Sequence, residues 1–157
     1  MGESITTSSD NRTQKDLADI ISDSFGSGKW TSANLSALSL AYIGDCIYDL
    51  IIRSIVTTHD GGTNKNLHGI CVKLVNAVSQ ARLIESIEAD LSDEENAVFH
   101  RGRNAKSSSS AKNASIGDYR KATGLEALVG YLYLNKEYER LVELVKLGLE
   151  RTGQLQQ

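Results

Sequence analysis

The stretch Ala41-Tyr42-Ile43-Gly44-Asp45-Cys46-Ile47-Tyr48-Asp49 decides how this 157-residue chain is read. It lies in a run that Asn34 can cap and that carries Leu35, Leu38, Leu40, Ile43, Ile47, Leu50, Ile51 and Ile55. Apolar residues on nearly every side predict a helix over about 35–57 that is central, not peripheral. Asp45 is the anomaly inside it. A carboxylate among apolar neighbours is costly unless it is paired, protonated or bound to a cation. Asp49 stands one turn further on the same face. Gly44 is a second anomaly, because a glycine within a helix costs about 1 kcal/mol relative to alanine.

The same combination recurs towards the other end of the chain. Glu126 stands between Leu125 and Ala127 in an apolar run with Leu128, Val129, Leu132 and Leu134, and Gly130 follows one turn later. Two glycine-bearing apolar helices recover their cost if their backbones cross closely, which would bring Asp45 and Glu126 together. Two or three carboxylates facing one another form a hard oxygen site suited to magnesium. Such an ion can hydrolyse a phosphodiester by activating water and stabilising the leaving oxygen. The same residues allow a structural reading, in which Asp45 and Glu126 each pair with an arginine such as Arg53 or Arg120.

Outward from these two runs the pattern stays helical. A short amphipathic helix is expected near 14–24, with Leu17, Ile20 and Ile21 on one side and a stop at Gly26-Ser27-Gly28. Gly61-Gly62 breaks the chain, and periodicity resumes over about 64–89 in two pieces. Ser92 with Glu95 forms a capping-box pattern for a helix of about 93–103. Asn104 to Ser115 is polar, small and aperiodic, hence a loop. Helices of about 117–134 and 136–151 close the chain. Neither a strand pattern nor an internal repeat is present, so the class is all-α with six to seven helices. Residues 1–12 are polar and expected to form a flexible tail ahead of one domain over 13–153.

Composition agrees with a globular chain: 40% apolar, 24% charged and no proline. The formal net charge of −3 means that any attraction to phosphate comes from a local cluster. Cys46 and Cys71 are isolated in apolar surroundings and are expected to be reduced core residues of a cytoplasmic protein. No apolar run of about 18 residues occurs, and no basic-then-apolar N-terminus, so neither a membrane span nor a secretory signal is expected.

The local cluster is His100-Arg101-Gly102-Arg103-Asn104-Ala105-Lys106, continued by Lys112, Arg120 and Lys121. Its serines and glycine let the backbone approach phosphates. Equally, cations at a helix end offset the negative pole of its dipole. His59, His68 and His100 show no metal-ligand spacing. Tyr42, Tyr48, Tyr119, Tyr131 and Tyr133 sit at core spacing, Tyr119 being the best candidate for a substrate contact.

The segment 41–49 resembles the Gly-Asp-Ala-Val helix of ribonuclease III domains, and more closely that of the compact Mini-III branch, which has no separate double-stranded-RNA-binding domain. Val78-Ser79-Gln80-Ala81, Arg101 to Ser107, Tyr119-Arg120 and Leu125 to Leu134 agree in order and spacing. The resemblance spans roughly 35–150. It implies an all-α endonuclease, homodimeric and magnesium-dependent, that cuts double-stranded RNA to 5′-phosphate and 3′-hydroxyl ends. The large-subunit ribosomal RNA precursor is the expected substrate. By position, Asp45 and Glu126 are the catalytic metal-binding pair and Asp49 a weaker third ligand. Arg101, Arg103, Asn104, Lys106, Ser107, Lys112, Tyr119 and Arg120 are the RNA-binding candidates. Full-length ribonuclease III has acidic residues where this chain has Leu38, Ala41 and Thr123. The Mini-III branch shares these losses, which implies fewer protein ligands to magnesium. A non-catalytic RNA-binding module and a helical scaffold are the competing classes.

Overall fold

The computed structural model describes residues 14–26, 32–59, 66–106 and 114–156. The chain divides into two compact units, Met1–Trp30 and Thr31–Gln157. The first contains α1 (Leu17–Phe25), opened by Asp16, whose side chain accepts from the Asp19 N–H, and closed by Gly26 at φ 59°. The tail expected over 1–12, Ser27-Gly28 and the break at Gly61-Gly62 lie outside the described residues.

The second unit contains α2 (Ala37–His59), α3 (Leu67–Val75), α4 (Ala77–Ile87), α5 (Asp93–Asn104), α6 (Ile116–Leu134) and α7 (Tyr138–Thr152). Seven helices and no strand among the described residues make the fold all-α, as the periodicity predicts. None of these helices is long and apolar enough to cross a membrane.

Side-chain caps set most of the boundaries. Ser92 accepts from the Glu95 N–H at 3.1 Å while Glu95 accepts from the Ser92 N–H at 2.9 Å, the expected capping box of α5. Asn76 splits the 64–89 run into its two helices. Its Nδ2 donates to the Val72 and Lys73 carbonyls that end α3, and its Oδ1 accepts from the Ser79 N–H that starts α4. Asn34 does not cap α2: it sits in a 3-10 turn (Ser32–Asn34), and Ser36 accepts from the Ser39 N–H instead.

The central helix is α6, not α2. It is buried at Ala122–Leu125, Ala127–Gly130 and Leu132, with α2, α4 and α5 packed around it. Helix α2 buries one face (Leu40, Ala41, Gly44, Ile47, Tyr48, Ile52, Val56) and leaves Leu38, Tyr42 and Leu50 exposed. Tyr42, expected in the core, is 86% exposed. Of the two free cysteines Cys71 is buried as expected, whereas Cys46 is exposed on the outer face of α2. Periodicity marked α2 as apolar all round, but it does not say which side the rest of the chain covers.

Helix α7 is fastened to the start of α5 through Arg140. Its Nε and Nη2 donate to the buried Glu95 carboxylate, at 3.0 and 2.9 Å, and its Nη2 also reaches the Asp90 carbonyl. Burial works against the charge on Glu95. The hydrogen bonds from Arg140 and Ser92 outweigh it and hold the carboxyl below the usual range.

Candidate active site

The site is built on the crossing of α2 and α6. A Cβ added at Gly44 would run into the Glu126 carbonyl and come within 2.8 Å of the Gly130 nitrogen. One added at Gly130 would run into the Leu40 carbonyl. The two backbones therefore touch where each helix lacks a side chain, which is the close approach that the glycines predict. Because Gly44 lies against Glu126 itself, the next residue, Asp45, is delivered beside the Glu126 side chain. The two carboxyl groups are near enough for the Asp45 charge to act on Glu126.

Their environments differ. Asp45 is exposed, while Glu126 is half-buried. Burial, and then the neighbouring Asp45 charge, push the Glu126 carboxyl up to about 8. One opposing influence comes from α4. Gln80, 1% exposed, faces Glu126 in the sense that favours the carboxylate. Yet the Gln80 Nε2 closes no hydrogen bond of ordinary geometry.

The arginine alternative is not what the structure brings together. The guanidinium of Arg53 goes to Asp49, with Nε 2.8 Å from Oδ2. Arg120 is exposed on α6, six residues before Glu126. Among the described residues no group of three or more His, Cys, Asp or Glu is arranged to hold a metal ion. The site is thus a pair, Asp45 and Glu126, with Asp49 one turn away and engaged with Arg53. Thr123 is buried and donates to the Tyr119 carbonyl at 3.0 Å.

The basic cluster starts on a helix, as the expected helix over about 93–103 places it. Arg101 to Asn104 form the last turn of α5, closed by the Ala105 N–H on the Gly102 carbonyl. Gly102 and Gly124 let α5 lie close on α6: a Cβ at Gly102 would come 2.9 Å from the Gly124 Cα. Arg101, Asn104, Lys106 and Arg120 are exposed. Arg103 is half-buried, with its guanidinium 5.6 Å from the Phe99 ring centre and its Nη2 2.7 Å from His100 Nδ1. Tyr119 is half-buried at the start of α6, and Lys121 pairs with Glu85 across to α4. Ser107 and Lys112 lie outside the described residues.

A helical domain with a carboxylate pair at a glycine-lined crossing is a defined class. Residues 38–137 match the family model of the ribonuclease III domain, which makes the chain a ribonuclease III-type endoribonuclease. Mini-ribonuclease 3 of Clostridium tetani is 49% identical over 114 residues, covering 72% of this chain and 76% of that one. Mini-ribonuclease 3 of Enterococcus faecalis is 43% identical over 123 residues, covering 76% and 92%. A Fusobacterium nucleatum protein of known crystal structure superposes with a TM-score of 0.67 at 29% identity, covering 74% of this chain and 93% of its own. The chain belongs to the Mini-ribonuclease 3 family.

One residue of the site had no role in the sequence reading. Gln80 stood there only as part of a matching segment. The signal was available: Gln80, Ile84 and Ile87 share one face of α4, and an amide among apolar residues on a buried stripe asks for a partner.

Proposed function

We propose that this protein cleaves double-stranded RNA in a magnesium-dependent reaction, as a cytoplasmic homodimer, and that its substrate is a large-subunit ribosomal RNA precursor. The observation that carries the reading is the carboxylate pair locked at the α2–α6 crossing. Backbone contact at Gly44 and Gly130 holds the stretches of α2 and α6 that carry Asp45 and Glu126 side by side. Burial, and after it the repulsion from Asp45, raise the affinity of Glu126 for a proton. A divalent cation relieves the same repulsion, and two hard oxygen donors fit magnesium. Asp45 and Glu126 would hold it, with Asp49 joining only by leaving Arg53. A bound magnesium ion supplies Lewis acidity toward the phosphodiester and a water of lowered pKa.

The chain's own residues then account for the substrate. Arg120 lies about 9 Å along the helix axis from Glu126, at 1.5 Å per residue. Arg101, Lys106 and the polar Asn104 are exposed at the end of α5 that packs on α6 through Gly102 and Gly124. These residues and Arg120, with Arg103, Ser107, Lys112 and Tyr119, are proposed to grip the backbone of an A-form duplex, which is recognised by shape and 2′-hydroxyls. Two strands require two sites, hence a twofold dimer. The exposed stripe Leu38, Tyr42, Cys46 and Leu50, at four-residue spacing on α2, is the apolar surface such a dimer would cover.

The deciding experiment incubates a duplex RNA with wild-type protein and Glu126→Gln, each with magnesium and with chelator. Cleavage by the wild type only with magnesium is expected. Glu126→Gln should keep its helical circular dichroism and be slower by about three orders of magnitude, the scale of losing one directly acting charged group. Full activity in that variant overturns the metal assignment. Duplex binding without cleavage by the wild type selects a non-catalytic module.

A further inference from the structure

We infer that Gln80 is a positioning residue for Glu126: its buried, unpartnered amide N–H is held ready to donate to the Glu126 carboxylate when a divalent cation occupies the site. The inference rests on the metal-binding reading of Asp45 and Glu126.

A buried donor without a partner costs free energy that an apolar side chain of the same size would not. Gln80 is 1% exposed on a stripe of α4 otherwise filled by Ala81, Ile84 and Ile87. Methionine or leucine would fill that place without penalty. The orphaned Nε2 is therefore a cost with no structural return in the metal-free protein. Among the described residues three other buried atoms lack partners, Tyr48 Oη, Asn96 Oδ1 and Gln154 Oε1. Of these four described residues, Gln80 is the one that bears on Glu126.

Gln80 and Asp45 both neighbour the Glu126 carboxyl. A cation held between the two acids would fix Glu126 as the carboxylate. The Gln80 N–H then gains a charge-assisted hydrogen bond, about twice as strong as a neutral one. One carboxylate oxygen would be fixed by Gln80 and the other left for the ion. Partners of this kind orient metal ligands, and their loss costs about 10–100-fold in metal affinity.

The test uses the full-length protein and its Gln80→Met, Gln80→Leu and Glu126→Gln variants, without RNA. Each is titrated with Mn2+, and free Mn2+ is read by electron paramagnetic resonance. Melting is followed in chelator. Both Gln80 variants should bind Mn2+ about tenfold or more weakly. Their metal-free melting temperatures should equal or exceed that of the wild type, because the orphaned donor is gone. In cleavage assays, half-maximal magnesium should rise by the same factor with KM for the duplex unchanged. Wild-type Mn2+ affinity in both Gln80 variants, with weakened binding in Glu126→Gln, overturns the inference and leaves the metal reading standing. Undiminished binding in Glu126→Gln, or none in the wild type, overturns both. A metal-free melting temperature lower by more than about 5 °C in both Gln80 variants makes the residue a packing element and also overturns the inference.

Discussion

Glu126 and Asp45 are neighbours in different solvents. The sequence marked Asp45 as the costly acid, because it stands in the more uniformly apolar run. The structure transfers that cost to Glu126, since the covered helix is α6 and the outer face of α2 is open. Residue type and spacing found the pair; which member is buried depends on what packs over it, and one helix's periodicity does not contain that. The transfer has a measurable consequence. In chelator, folded Glu126 keeps its proton to about pH 8, whereas its ordinary value is 4.5. Below pH 4.5 both states are protonated and the group contributes nothing. Between 4.5 and 8 the folded state binds more protons than the unfolded, so stability falls as pH rises. Above 8 the penalty is constant. Glu126→Gln removes it. Urea unfolding of the two proteins should therefore coincide near pH 4.5 and diverge to about 2–3 kcal/mol in favour of the variant by pH 8, after discounting for partial exposure. Parallel curves would show that Glu126 ionises normally.

Elements were legible wherever a side chain sets the boundary. The Ser92–Glu95 box and the Gly26 stop were visible because cap chemistry is local. The start of α2 was missed because two candidate caps, Asn34 and Ser36, stand two residues apart, and only tertiary structure chooses between them. The α5 end was placed one residue early, because Asn104 opens a polar, aperiodic stretch that resembles a break. Here Gly102 is used for close packing on Gly124 and the helix continues through it. The crossing of α2 and α6 is the sharpest test of this level. Gly44→Ala should gain about 1 kcal/mol of helix propensity. It also sets a Cβ against the Glu126 carbonyl, a backbone atom that cannot turn aside. Overpacking of this kind costs typically 1–3 kcal/mol and occasionally more, so the clash wins. With the cost near the upper end of that range, denaturant unfolding should show net destabilisation of about 1–2 kcal/mol. Cleavage should fall further than stability alone explains, because separating the helices moves Asp45 from Glu126. A variant as stable and active as wild type would mean that the crossing does not set the site.

At the scale of the whole molecule, the net charge of −3 concealed a charged edge and the apolar content concealed an open face. Neither is a property of composition; both appear only when the helices are arranged. The charged edge is tested by salt. Arg101→Ala should reduce the slope of log affinity for duplex RNA against log salt by roughly one, the signature of one lost phosphate contact. Arg103→Ala should reduce it less for the stability it costs, since Arg103 also lies against Phe99 and His100. An unchanged slope in both would return the cluster to helix capping. The open face is tested by mass. Leu38, Tyr42 and Leu50 are exposed in the single chain, so charging them costs the fold little. A specific dimer buries about 1,200–2,000 Å² in total, more than one helical stripe offers, so the proposed interface would centre here and extend its rim onto neighbouring surface. Aspartate at the centre places desolvated like charges opposite one another across a twofold axis. Tyr42→Asp with Leu50→Asp should therefore sediment as a monomer at concentrations where the wild type is dimeric, with unchanged helical circular dichroism and reduced duplex cleavage. A wild type that sediments as a monomer at every concentration would refute the dimer. A double variant that remains dimeric would move the interface to another face.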